Sequence, residues 1–237
     1  MTDKQKLPSE KASARGEVDD FLRKVAAIKP SGKASGARGR LIFAMDATAS
    51  RQPTWDRATH IQAEMFQETA VLGGLDVQLV FYRGFGECKA SKWHSEPKGL
   101  LKAMTSVFCL AGKTQIERVL KHAASETKAR KVNALVFVGD AMEEDIDALG
   151  HLAGQLGLLG LPCFIFHEGG DPIARRAFEQ IARLSGGACC SFDAGSARQL
   201  RDLLSAVAVY AAGGRKALAD FSRRRGGAAL QLTHQLR

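Results

Sequence analysis

Two uninterrupted apolar runs, each ending at an aspartate, are the feature that most constrains the fold of this 237-residue chain. Residues 41–45 precede Asp46, and residues 135–138 precede Gly139 and Asp140. Short continuous runs of this kind are typical of central parallel strands, because such strands are buried on both faces. The sequence therefore predicts an α/β fold with a doubly wound, mostly parallel sheet. Helices cover both faces, and one edge is an antiparallel hairpin.

Strand-like and helical segments alternate along the predicted core. The predicted strands cover residues 41–45, 76–82, 87–94, 132–138, 163–167 and 188–192. The predicted helices cover residues 54–72, 97–106, 115–129, 144–158, 171–184 and 196–212. Strands separated by helices are typical of parallel βαβ units. The second and third strands follow each other directly, so they form the antiparallel hairpin.

Positive charge is concentrated at the two ends of the chain. The formal net charge is +9, whereas residues 1–40 and 211–237 together sum to +10, so the intervening 170 residues are nearly neutral. A basic groove on the folded centre is therefore not expected. The basic ends suit two roles, which the sequence leaves open: contact with nucleic acid phosphates, or solvation that keeps the protein soluble.

These patterns divide the chain into four parts. Residues 1–16 are predicted to be a disordered basic tail, and residues 17–38 an amphipathic helix with a linker. Residues 39–212 form the α/β domain, and residues 213–237 a basic C-terminal tail. The helix prediction rests on apolar residues at helical spacing, namely Val18, Phe21, Leu22, Val25 and Ile28.

The composition excludes several classes of protein. Hydrophobic residues make up 45% and charged residues 25%, as in an ordinary globular chain. No uncharged apolar run reaches the roughly 18 residues of a membrane span. The polar amino terminus has no apolar segment of a secretory signal. Together with five cysteines and no CxxC pair, these features predict a cytoplasmic protein with reduced thiols.

Three oxygen-bearing side chains alternate directly after the first apolar run. The segment reads Asp46-Ala47-Thr48-Ala49-Ser50, so a carboxylate and two hydroxyls are separated by small residues. In a turn at a strand end, this alternation can aim all three side chains at one point, and ligands of open α/β sheets collect at that edge. Ligands that are all oxygen suit a hard cation such as Mg²⁺ and argue against zinc.

The order of these motifs resembles the von Willebrand factor A (VWA) family, in its intracellular bacterial form. That family carries a metal-ion-dependent adhesion site (MIDAS), which follows Asp-x-Ser-x-Ser, then Thr, then Asp. The matching residues here are Asp46, Thr48, Ser50, Thr114 in the segment Gly-Lys-Thr, and Asp140. Separations of 64 residues from Ser50 to Thr114 and 26 from Thr114 to Asp140 suit the fold. Thr48 replaces a serine, and Gly139-Asp140-Ala141 replaces the usual Thr-Asp-Gly.

The resemblance implies a binding protein rather than an enzyme. In VWA domains, a partner's Asp or Glu completes the coordination of a divalent cation, here Mg²⁺, Mn²⁺ or Ca²⁺. We therefore expect a metal-dependent protein–protein interaction module. Intracellular bacterial VWA proteins often act beside AAA+ ATPases or chaperone-like complexes, so the resemblance implies a partner of that class.

Other functions fit the sequence less well. A P-loop ending at Gly112-Lys113-Thr114 needs a glycine where Val107 stands. An aspartyl phosphatase of the haloacid dehalogenase type needs a second acid where Thr48 stands. A metal-dependent hydrolase using the same oxygen cluster lacks an evident general base. The remaining alternative is a nucleic-acid-associated protein that acts through its basic tails.

Local structure offers a competing role for the polar residues. Asp46, Thr48 and Ser50 could instead cap the following helix and bond loop amides. The acidic residues at 143–147 could stabilise a helix amino terminus or form the rim of a metal site. Five oxygen ligands in three loops, in the order of the family, favour the metal site.

Overall fold

A six-stranded sheet dominates the computed structural model, which describes residues 38–192 and 197–225, with side chains up to residue 223. The strand order is β3-β2-β1-β4-β5-β6, and each adjacent pair is parallel except β2 with β3. The predicted doubly wound sheet with one antiparallel edge is therefore confirmed. The strands are β1 (Gly39–Asp46), β2 (Leu75–Arg83), β3 (Glu87–His94), β4 (Ala134–Gly139), β5 (Cys163–Glu168) and β6 (Ala188–Phe192).

Six α-helices in the described residues cover the two faces of the sheet. They are α1 (Gln52–Thr69), α2 (Pro97–Thr105), α3 (Ile116–Ala129), α4 (Ile146–Leu158), α5 (Pro172–Ser185) and α6 (Ala197–Arg225). Alternate residues of β1 point to opposite faces, as the pleat requires. Phe43 packs in the cluster formed with α1, α2 and α6, whereas Ile42 packs in the cluster formed with α3, α4 and α5.

The central strands have no solvent-facing side. Every residue of β1 and β4 is buried, in agreement with the two apolar runs of the sequence. β1 lies between β2 and β4, so the chain leaves β1 towards one side of the sheet and later returns to the other. This reversal of strand order opens a crevice at the carboxyl ends of β1 and β4, where ligands of such sheets bind.

The last predicted helix breaks near its predicted end, but a second helical segment follows the break. The predicted end near Ala212 agrees with this break, whereas residues 213–237 were predicted to be a tail and helical structure resumes as far as Arg225. Gly214 adopts φ 71° and ψ −165°, which is not a helical conformation, so α6 consists of two helical segments joined at this residue. After the break, Leu218 and Phe221 are buried in the core, so their apolar contacts hold this part of the helix on the domain.

Several predictions fall outside the described residues. These are the basic tail at 1–16, the amphipathic helix and linker up to residue 37, and residues 226–237 of the C-terminal tail. Among residues 38–192 and 197–225, we find no helix with the length and apolar content that crossing a membrane requires.

Candidate metal centre

All the side chains predicted to bind a metal line one cavity. Its volume is about 270 Å³, and it lies at the carboxyl ends of β1 and β4. The predicted residues in its wall are Asp46, Thr48, Ser50, Thr114 and Asp140. Ala49, Ala111, Gly112, Ala141 and Glu143 complete the lining. The structure therefore brings the three predicted loops together, and the role of these five residues as metal ligands stays a prediction.

Asp46 is the most enclosed of the five. It is only 1% exposed, although it ends its strand at the carboxyl edge of the sheet. Its Oδ1 accepts a hydrogen bond from the backbone N–H of Thr48 at 2.7 Å, and its Oδ2 accepts one from the hydroxyl of Tyr82 at 3.0 Å. Burial raises the pKa of Asp46, and the nearby charge of Asp140 raises it further.

The competing role of the motif is observed only in part, because Asp46 bonds the loop N–H of Thr48 but the N-cap side chains form no cap. Thr48 stands at the N-cap of the 3₁₀ turn Ala49–Arg51, and Arg51 stands at the N-cap of α1. Neither side chain makes a capping hydrogen bond. Thr48 is half-buried and Ser50 exposed, and both line the cavity. The hydroxyl of Ser50 donates to Oδ2 of Asp140 at 3.0 Å, which joins the first predicted loop to the third.

Thr114 is fixed by a reciprocal pair of hydrogen bonds. Its backbone N–H donates to the carboxylate of Glu143 at 3.2 Å, and its hydroxyl oxygen accepts from the N–H of Glu143 at 3.1 Å. A hydroxyl oxygen has two lone pairs, so one remains for a ligand. This pairing holds the second predicted loop against the third.

The acidic run after Asp140 has divided roles. Glu143 lines the cavity beside the predicted ligands. Glu144 instead accepts hydrogen bonds from the N–H groups of Ile116 and Glu117 at 2.6 and 2.8 Å, so it caps α3. Asp145 caps α4 by accepting from the N–H of Ala148 at 2.7 Å.

Arg51 is a charged residue that sequence reasoning missed. It is only 3% exposed, and its Nη1 lies 3.3 Å from Oδ2 of Asp140. Its second amino group pairs with Glu168, which is itself buried and also accepts a hydrogen bond from Thr54. A single arginine after the motif has no periodic signature. Glu168 could have been found, because it ends β5 as Asp46 ends β1.

The donor set fits a hard divalent cation. The cavity offers carboxylate oxygens from Asp46, Asp140 and Glu143 and hydroxyl oxygens from Thr48, Ser50 and Thr114. In the described part of the chain, no three His, Cys, Asp or Glu side chains are grouped as a metal site. A cation here therefore depends on hydroxyl ligands, which Mg²⁺, Mn²⁺ and Ca²⁺ accept.

The raised pKa of Asp46 predicts a pH dependence of stability. Because the folded-state pKa lies above the ordinary value of 3.8, the folded chain holds this proton more tightly than the unfolded chain does. The stability contributed by protonated Asp46 is complete below that ordinary pKa and is lost as pH rises through the folded-state pKa.

Unfolding of the metal-free wild type and of Asp46→Asn across acidic pH measures this contribution. We expect the free energy of unfolding of the wild type, relative to the variant, to fall as pH rises through this window. A difference that stays constant or rises with pH contradicts the assignment.

Comparison with known proteins supports the fold alone. No protein-family model and no curated protein matches the chain. Among solved structures, the VWA domain of SpRpn10 is 14% identical with a TM-score of 0.55, and the match covers 71% of this chain and 94% of that domain. At such identity the likeness shows a VWA-like fold.

Two further matches are to longer proteins. Proximal thread matrix protein 1 from the mussel byssus, with a zinc-occupied MIDAS motif, is 13% identical with a TM-score of 0.59. The match covers 73% of this chain and 46% of the mussel protein. The PilB minor pilin from Streptococcus sanguinis is 10% identical with a TM-score of 0.52, covering 75% of this chain and 62% of the pilin. The chain thus spans less than two thirds of both.

Proposed function

We propose that this chain is a non-catalytic protein-interaction module that binds a partner's carboxylate through a divalent cation. The observation that carries the proposal is the convergence of five oxygen-bearing side chains on one cavity. They are Asp46, Thr48, Ser50, Thr114 and Asp140, and they lie where the strand order reverses. The zinc in the MIDAS motif of the mussel protein supports divalent binding in a related fold.

The proposed ligands differ in charge. Thr48, Ser50 and Thr114 would offer neutral oxygens to the cation, while Asp46 and Asp140 would offer negative charge. Arg51 balances part of the charge of Asp140, so the bound cation would keep positive charge towards the mouth of the cavity. Bound Mg²⁺, Mn²⁺ or Ca²⁺ supplies a coordination position that an Asp or Glu of a partner can fill.

The setting of the module is part of the same proposal. The resemblance to intracellular bacterial VWA proteins points to a cytoplasmic partner of the AAA+ ATPase or chaperone-like class. The metal centre can be tested without knowing the partner or the location, because binding of the cation alone shows whether the cavity is a metal site.

Thermal unfolding with and without divalent cation tests the site. A ligand that binds only the folded state stabilises it by RT ln(1 + [L]/Kd), about 1.4 kcal/mol at ten times Kd. We expect Mg²⁺, Mn²⁺ or Ca²⁺ to raise the melting temperature of the wild type relative to chelator. Asp46→Asn should lose this gain, because it removes charge while an amide can still bond Tyr82 and the N–H of Thr48.

Thr48→Ser is the matched control, because it keeps the hydroxyl and should keep the stabilisation. Two results contradict the proposal. One is a wild type that none of the three cations stabilises. The other is an equal cation response in the wild type and in Asp46→Asn, since a residue that only orders the loop would affect stability equally with and without metal.

A further inference from the structure

Three large apolar side chains stand exposed beside the cavity. Phe85 is 83% exposed, Phe108 70% and Leu110 49%. Phe85 lies in the turn between β2 and β3, and the other two lie in the loop that leads from α2 to Thr114. We call Phe85, Phe108 and Leu110 the apolar rim. When a partner covers side chains of this size, apolar surface is removed from water, and this stabilises the complex.

The backbone that presents the apolar rim is held in place. The N–H of Lys113 donates to the carbonyl of Gly84 at 3.1 Å, which joins the loop to the turn. Arg83 donates to the carbonyl of Phe108 at 2.7 Å. The N–H of Leu110 donates to the carbonyl of Ala47 at 3.0 Å. The exposure is therefore a feature of the ordered fold, and a ligand meets a preformed surface.

The apolar rim is continuous with the candidate metal centre. Leu110 bonds Ala47, which stands between Asp46 and Thr48 of the metal motif. Ala111 and Gly112, the next residues after Leu110, line the cavity itself. A carboxylate held at the cavity therefore places its neighbouring side chains within reach of the apolar rim.

The charges around the cavity are unequal on its two sides. Exposed Lys113 and Arg118 lie on the side of the apolar rim, where Arg118 donates to the carbonyl of Gly86 in the same turn as Phe85. Exposed Asp145 and Asp147 follow Asp140 on the other side, and Glu143 stands between the two sides, because its carboxylate accepts from the N–H of Thr114 beside Lys113. An acidic partner is attracted to the first side and repelled from the second. The apolar and basic side is thus the one that complements an acidic, apolar ligand.

We propose that the apolar rim binds bulky apolar side chains that flank the metal-bound carboxylate of the partner. The preferred ligand is then a protein segment in which Asp or Glu stands beside Phe, Leu or a side chain of similar size. This inference rests on the proposed function for its carboxylate, and it adds the feature that distinguishes one acidic segment from another. Phe is among the residues enriched in the buried centre of interfaces, where a few anchors carry most of the binding energy.

Selection from a phage-displayed library of random linear peptides on the full-length chain in Mg²⁺ tests the inference. We expect the selected peptides to carry Asp or Glu beside a bulky apolar residue. The double variant Phe85→Ser/Phe108→Ser should bind the best peptide at least tenfold more weakly while keeping the Mg²⁺ stabilisation of the wild type. Leu158→Ser is the matched control, because Leu158 is 92% exposed at the end of α4 and does not line the cavity.

Three results overturn the inference. The first is an unchanged peptide affinity and unchanged apolar preference in the double variant. The second is a dimer of the full chain that dissociates in the double variant, since the apolar rim would then hold a second copy. The third is binding to phosphatidylcholine–phosphatidylglycerol vesicles that the double variant loses, since the apolar rim would then face a membrane.

The failure of the proposed function gives a different pattern. In that case the affinity for the selected peptide is the same with and without chelator and the same in Asp46→Asn, regardless of the affinity of the double variant. Cation dependence therefore tests the metal centre, and the response to Phe85→Ser/Phe108→Ser tests the apolar rim.

Discussion

Replacing Arg51 by methionine should lower the free energy of unfolding by about 3–5 kcal/mol, because it removes one partner of a buried ion pair. Arg51 is 3% exposed and contacts both Asp140 and Glu168, so its loss leaves two carboxylates without their cation. Urea denaturation of the full chain in chelator measures the loss. Arg51→Lys should lose less, because the charge stays although an ammonium cannot span both acids as a guanidinium does.

Arg175→Met is the matched control for this loss. Arg175 pairs with Glu179 at 3.1 Å, but both side chains are more than half exposed, so the pair is worth roughly 0.2–1 kcal/mol. Equal losses in Arg51→Met and Arg175→Met would show that the buried pair adds nothing. If a cation binds as proposed, Mg²⁺ should restore part of the stability of Arg51→Met, since it supplies positive charge beside Asp140.

Gly112→Ala should destabilise the chain by about 3 kcal/mol, the upper part of the range for overpacking. A Cβ at Gly112 would lie 2.1 Å from the carbonyl oxygen of Gly84, and this neighbour is backbone that no rotamer change can move. The variant should also lose the response to Mg²⁺, because the loop that carries Thr114 must shift. The measurements are urea denaturation and the melting temperature with and without Mg²⁺.

Gly154→Ala is the control for the added methyl group. Gly154 lies inside α4, and a Cβ there meets nothing within 4 Å. Alanine should therefore stabilise the chain by about 0.4–1 kcal/mol. A Gly112→Ala variant with wild-type stability and wild-type Mg²⁺ response would show that the two loops can separate without cost.

The sheet could be predicted because its central strands are fully buried. Burial on both faces produces the two continuous apolar runs, and the order of strands and helices then leaves few topologies. Gly213 and Gly214 suggest the end of a helix, and the last predicted helix does break at Gly214. The helical segment beyond Gly214 was not predicted, because the burial of Leu218 that holds it on the domain depends on tertiary contacts.

The candidate site could be predicted only where its residues follow strand ends. Asp46 and Asp140 are recognisable because each ends an apolar run. The hydrogen bond from Tyr82 to Asp46 joins two strands, so no local sequence pattern predicts it. The burial of Asp46 has no local sequence pattern either. The ion pair of Arg51 with Glu168 joins residues far apart in the chain, and the close approach of Gly112 to Gly84 joins two loops.

The antiparallel strand β3 also limits how this chain can associate. It is the last strand on its side of the sheet within the described residues, so its outer backbone groups form an edge on which another strand could add. Exposed Lys89 and Lys92 lie on this strand. Lysines on an edge strand place like charges side by side when two edges meet, which opposes aggregation through added strands. Such charge favours association through side chains at the carboxyl edge over extension of the sheet.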